Sequence, residues 1–232
     1  MNNLLQQGFP LLNQSLPYAL SYDGVHSYTS LGTMGNFGSN LGNGFYCSFQ
    51  IKTTQTTVGA AYGILNTGSV TGMSLDLNMY SSTSHRIFFR DNNGNQFIPR
   101  FTFNFADGNL HTVVISVNFA TQTVTITVDG NNITPSAYDS NQVLTTFSNL
   151  AFNMFLGGRN NRNNSVVNEP LACTLDNFQI GTSSSVLYGS YLGSRQTGRG
   201  TTLYDVSGNV NNGTLSQSGG TSANIPAWVA GL

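Results

Sequence analysis

Residues 105–130 read FADGNLHTVVISVNFATQTVTITVDG. Val113, Ile115 and Val117 recur at every second position, and Val124, Ile126 and Val128 repeat the pattern between Thr123, Thr125 and Thr127. Successive side chains of a strand point to opposite faces, so each run offers one apolar face to a core. FATQ, residues 119–122, has the length of a hairpin turn. Asp107-Gly108 and Asp129-Gly130 bound the unit with dipeptides that supply positive φ. The stretch is an antiparallel hairpin.

The same period extends outward. Leu75, Leu77 and Met79 alternate with Asp76 and Asn78; Phe101, Phe103 and Phe105 alternate with Thr102 and Asn104; Phe45, Cys47, Phe49 and Ile51 share one face of FYCSFQIK. Asp23-Gly24 and Asp91-Asn92-Asn93-Gly94 add turns. No window carries a capped helical stripe. Short strands joined by such turns make the chain all-β, a two-sheet antiparallel β-sandwich. Its 232 residues fit one such domain. The Gly- and Ser-rich stretches near 32–44, 181–200 and 216–222 read as loops within it.

Only 7% of the residues are charged, against roughly 25% in an ordinary soluble domain. Asn, Ser, Thr and Gly fill the place of the missing Lys and Glu; Lys52 and Glu169 are each the sole residue of their kind. With a net charge of −1, the chain lacks the attraction that nucleic acids or anionic membrane surfaces need. Neither is expected as a partner. The N-terminal stretch has no positive region, and Pro10 and Pro17 interrupt its apolar residues, so it does not read as a secretory signal. Residues 1–17 form an apolar, uncharged arm expected to pack on its own domain or on a neighbouring subunit. The end PAWVAGL holds Trp228, the single Trp, and also reads as packed.

Cys47 lies on the core face of its strand. In LACTLDNFQI, strict alternation from Phe178 and Ile180 sends Cys173 to the other face. Two free thiols are expected, and a bulge is what would change the phase.

Four segments in order resemble the laminin-G-like, concanavalin-A-like family: ALSYDGVHSYTSLG (19–32), GFYCSFQIKTTQ (44–55), the hairpin 105–130, and FLGGRNNR followed by LDNFQIG. The resemblance covers roughly residues 18–181 and implies a jelly roll of about 12–14 antiparallel strands. Leu110 and Gln50 stand where this family commonly has Trp. LYDVSGNVNNGTLSQSGG (203–220) resembles a piece that in the family usually precedes the opening strand. Here it follows the closing one, so residues 182–232 are expected to complete the sandwich or to contact a neighbouring subunit.

Glucanases of this superfamily use paired carboxylates. With Glu169 as the sole Glu, their strand motif of two Glu and an Asp is absent. Asp23, Asp91, Asp107 and Asp129 sit in turn sequences that use a carboxylate as a cap. No elbow surrounds any Ser to suit His26, His85 or His111 as a catalytic base. The chain reads as a non-enzyme without a required cofactor. The family often holds a structural calcium where opening and closing strands meet, and Asp23 and Asp176 occupy the matching segments. Either they converge on one ion, or Asp23 caps its turn and Asp176 bonds a neighbouring loop. For sugar binding, Tyr28, Tyr62, Tyr138, Tyr188 and Tyr191 lie in or near expected loops, and Arg159 and Arg162 form the one paired basic feature of a loop.

Uncharged surface chemistry, apolar ends and the absent signal together suggest a virion structural protein. The expectation is a bacteriophage capsid decoration or fibre-type component, homo-oligomeric, bound to a capsid or tail protein and touching host glycans. The alternative is a carbohydrate-binding lectin domain of a secreted or cell-surface protein.

Overall fold

The computed structural model describes residues 17–34, 37–57, 62–67, 72–145, 153–160, 167–218 and 224–232. The expectation of an apolar arm over 1–17 therefore falls, except for Pro17, outside the described residues. Among those described there are nineteen strands, all paired antiparallel, and the one α-helix is the four-residue Phe37–Asn40. The count exceeds the expected 12–14 because several pairings are only two to four residues long, below what period-two patterning can register.

One sheet runs β10 (Asn131–Ile133), β9 (Thr123–Val128), β8 (Leu110–Asn118), β3 (Phe45–Lys52), β15 (Ala172–Ser183), β1 (Tyr18–Asp23) and β19 (Ala227–Ala230), with β16 (Val186–Tyr191) also on β15. The other runs β11 (Ala137–Asn141), β7 (Gln96–Thr102), β6 (Ser84–Arg90), β5 (Gly72–Ser81), β4 (Tyr62–Thr67), β12 (Met154–Leu156), β2 (Ser27–Gly32), β18 (Gly213–Gln217) and β17 (Thr202–Leu203). β13 (Gly158–Asn160) and β14 (Val167–Pro170) form a separate hairpin. The inner faces of the two large sheets meet in one core. Phe89 stands in it with Phe45, Phe97 and Phe119 at centroid distances of 5.2, 6.5 and 5.0 Å.

The central hairpin forms as its sequence predicts, with Ile115 opposite Ile126 and the turn at 119–122. The Phe101–Phe105 run does not stay a strand. β7 ends at Thr102; Phe105 packs on the rings of His85 and His111 at 4.9 and 5.8 Å, and Phe103 packs on His111 at 4.9 Å. The segment after the closing strand contributes to both sheets of its own chain: β18 pairs with β2, and β19 pairs with β1.

β15 departs from alternation. Asp176 lies opposite Gln50 but Gln179 opposite Ser48, so the strand carries one extra residue, and Asn177 takes a left-handed φ of 50°. Asn tolerates that conformation better than most residues, and a bulge shifts the pleat by one. Cys173 and Leu175 therefore face the core before the bulge, and Phe178 and Ile180 face it after. This corrects the sequence expectation for Cys173, which strict alternation sent outward. The thiols are nonetheless free. Cys47 lies opposite Ile180, while Cys173 lies beyond the Lys52–Thr174 pair, about six residues or ~20 Å along the sheet. A disulfide needs Cα atoms within roughly 7 Å. Burial pushes both thiol pKa values up.

Candidate functional site

Because Phe45, Cys47, Phe49 and Ile51 face inward, β3 turns Tyr46, Ser48 and Gln50 to the outer face of the eight-stranded sheet. Register then builds rungs. Tyr46 sits beside Ser116, which sits beside Thr125; Ser48 sits between Val114 and Gln179. Ser48 Oγ donates to Gln179 Oε1 at 3.2 Å, Gln179 Nε2 donates to Ser190 Oγ at 3.2 Å, and Asn177 Nδ2 donates to Gln50 Oε1 at 2.6 Å. The Tyr46 and Ser48 rungs carry no charged side chain; Asp176, opposite Gln50, lies on the next rung. Where they meet the turn after β15, an open trough of about 360 Å³ is lined by Tyr46, Ser116, Asn118, Thr123, Thr125 and Ser183, among others. Of its two aromatic residues Phe45 is buried and Tyr46 faces outward, and the lining adds several hydroxyls and no carboxylate or imidazole. Such a lining can hold a polar ligand with apolar patches and contains none of the carboxylates or imidazoles on which general acid–base catalysis most often rests.

The outer face of the other sheet gathers charge instead. Arg86 and Arg100 are cross-strand neighbours on β6 and β7, an unfavourable juxtaposition on its own. Asp76 and Asp139 flank them. Arg86 Nε is 2.8 Å from Asp76 Oδ2, which also accepts from Ser74 Oγ at 3.0 Å; Arg100 Nε is 3.1 Å from Asp139 Oδ1. Tyr80 donates its hydroxyl to Asp139 and lies under the Arg100 guanidinium, 4.7 Å from ring centre.

Two of the three histidines, His111 and His85, are held in packed, hydrogen-bonded settings. His111 is clamped between Asp129 Oδ2 at 2.8 Å and Asp107 Oδ1 at 3.0 Å. Burial opposes its protonation, but the two carboxylates outweigh burial and hold its pKa above the ordinary value. His85 is fully buried, 2.7 Å from the Phe103 carbonyl, and burial holds it down to about 4. The unfolded chain protonates a histidine near 6.5. Between those values the unfolded state binds the extra proton, so His85 makes stability fall as pH drops from about 6.5 to 4, by about 3 kcal/mol. Urea titrations across that window check this. His85→Gln, whose amide still reaches for the Phe103 carbonyl, should lose most of the His85 part of the slope.

The two sequence candidates for calcium are not brought together. Asp23 Oδ1 accepts the N–H groups of Val25, His26 and Ser27 and the Ser27 hydroxyl, all at 2.8–2.9 Å. Burial works against its charge, but those bonds hold its pKa down to about 2. Asp176 lies four register positions away, since Leu20 opposes Leu175 and Asp23 opposes Ala172, a separation of ~13 Å. It sits at the bulge, where β15 passes from β1 to β16; its Oδ1 accepts the Asn177 N–H at 2.6 Å, and the nearby backbone of Leu232 and Gly193 also favours its charge. Burial nevertheless leaves its pKa raised. Beside it is a small, partly open cavity of about 20 Å³, lined mainly by apolar side chains such as Leu20, Phe178 and Trp228, room for about one water. The pair does not fit one shared cation. Among the described residues no group of three or more His, Cys, Asp or Glu side chains is placed to hold a metal ion. Adding a chelator should leave the melting temperature unchanged; a drop would restore the ion.

The tyrosines expected as sugar platforms are mostly committed elsewhere. Tyr28 packs on Phe155, Tyr188 on Phe37 and Tyr138 on Phe97. Tyr191 is buried with its hydroxyl on the Asn211 carbonyl at 2.6 Å. The side chains of Tyr62 and Arg159, and all of Arg162, lie outside what the structure describes. Tyr46 was passed over because it lies in a strand. The signal was present: Cys47 facing inward sends Tyr46 outward.

Among the described residues no helix is long and apolar enough to cross a membrane. No curated protein sequence matches the chain. Its fold is similar to that of a Bacteroides ovatus protein whose carbohydrate-binding role is itself inferred, with a TM-score of 0.62 at 14% identity, over 93% of this chain and 60% of that one. The chain thus spans about three-fifths of that protein. Weaker likenesses join it to a heptameric SAP-like pentraxin from Limulus polyphemus (TM-score 0.49, 10% identity, 72% of this chain and 76% of that one) and to domains LG4-5 of the mouse laminin alpha1 chain (0.45, 15%, 80% of this chain and 45% of that two-domain piece). At these identities the likeness is one of fold. The profile of the Laminin G domain family matches residues 56–182, more than half of the sequence, and the chain belongs to that family.

Proposed function

We propose that this chain is a non-catalytic carbohydrate-binding domain of a secreted or cell-surface protein. The observation that carries the reading is the trough at Tyr46, which joins one aromatic face to hydroxyl and amide groups and holds no charged side chain. A pyranose presents that combination in mirror image: C–H patches for the ring and hydroxyls for the polar rim. Membership of the laminin G family and the likeness in fold to an inferred carbohydrate-binding protein support it.

The virion reading rests on composition and on the uncharged ends. Residues 1–16 of the arm are outside the described structure, and the comparisons back carbohydrate binding better.

Glycan-array screening of the wild type should find at least one bound glycan class. Tyr46→Ala should weaken binding roughly 30-fold, about the 2 kcal/mol of an aromatic face removed from water, with an unchanged melting temperature. Full binding by that variant removes the reading.

A further inference from the structure

We propose that the ligand is an uncharged, unbranched oligosaccharide lying in a two-part groove that crosses the turn Ser183–Ser185; the proposal rests on the carbohydrate-binding reading above. A second open trough, of about 520 Å³, lies beyond that turn. Ser184 lines both troughs, so they adjoin on either side of this exposed turn. The second trough is amphipathic. Val186, Leu187, Leu192 and Val206 supply its apolar lining, and Ser185 and Asn209 contribute polar groups. Val186 and Val206 are 50% and 42% exposed. A β-branched apolar pair held in water beside serines matches the C–H faces and hydroxyls of a second sugar unit.

The charge distribution selects the class. No residue lining either trough is an Arg, Lys, Asp or Glu. Arg86, Arg90 and Arg100 lie on β6 and β7 of the other sheet. A carboxylated or sulfated sugar entering the groove would surrender hydration with no counter-charge to receive it. A neutral chain surrenders only hydroxyl hydration, which Ser and Thr groups replace. Two troughs in succession suit the interior of a chain, whereas recognition of a terminal unit needs one.

The test is calorimetric titration of the intact chain with linear neutral gluco-, manno-, xylo- and galacto-oligosaccharides of one to six units, beside carboxylated and sulfated glycans. In one neutral series the affinity should rise roughly tenfold or more with length before levelling. The double variant Val186→Asp/Val206→Asp changes exposed side chains only. It should bind the shortest ligands of that series within about twofold of wild type and lose the gain with length. Tyr46→Ala should weaken every length. Tyr46-dependent binding that does not grow with length overturns the extended groove and leaves carbohydrate binding standing. A preference for acidic glycans overturns the uncharged class. Absence of any Tyr46-dependent binding removes both proposals. Circular dichroism of each variant confirms that the fold is kept.

Discussion

Asp76→Ala lowers the unfolding free energy by about 3–5 kcal/mol in urea titration at neutral pH, the range for removing one partner of a buried ion pair. Asp76 is 0% exposed and Arg86 12%, so the guanidinium left behind has little water to turn to. Arg100 directly opposite makes the uncompensated charge worse. The cost is that of stranding a charge and does not measure the pair's own contribution. Replacing both partners with apolar residues, as in Asp76→Leu/Arg86→Met, should recover most of the loss, because the desolvation of both ions disappears together. A single-variant cost below about 1 kcal/mol would show that this face of the sheet admits water to Arg86.

Gly157→Ala is the second large effect, about 3–5 kcal/mol, and it has two separable causes. Gly157 has a φ of 74°, the left-handed region that an alanine enters at a cost. A Cβ there would also stand 2.2 Å from the ring of Tyr22, a buried side chain fixed by its hydroxyl on Thr29 Oγ1 at 2.8 Å. The ring cannot step aside without breaking that bond. In a Tyr22→Val background the overlap is gone, so the same substitution should cost only the backbone part, about 1–2 kcal/mol. Equal cost in both backgrounds would assign the whole effect to φ. Gly157 joins β12 to β13, and its carbonyl accepts from Leu171 N–H at 2.9 Å. Its substitution therefore tests the entry to the β13–β14 hairpin as well.

The strands of the central hairpin, the Asp-Gly turns and the sandwich class were legible because they are local. Alternation with period two needs only neighbours in the chain, and a carboxylate capping the next few N–H groups, as Asp23 does, needs only the next few residues. The Phe101–Phe105 run misled because aromatic residues packing around buried histidines imitate the same period. The trough was half legible. Tyr46 follows from the alternation of FYCSFQIK, but its partners Ser116, Thr125 and Ser183 come from three other places in the chain.

By itself, then, the amino-acid order determined most of the longer strands with their apolar faces, the capped turns between them, and the absence of the paired glutamates that glucanases use. The tertiary structure alone decided that Asn177 shifts the phase of β15 and turns Cys173 inward, that Asp23 and Asp176 stand apart, and that Asp76 meets Arg86. Register between strands distant in sequence, and the bulges that alter it, are settled by how whole side-chain layers fit across two sheets. That fit is a property of many residues at once, and no short window of the chain contains it.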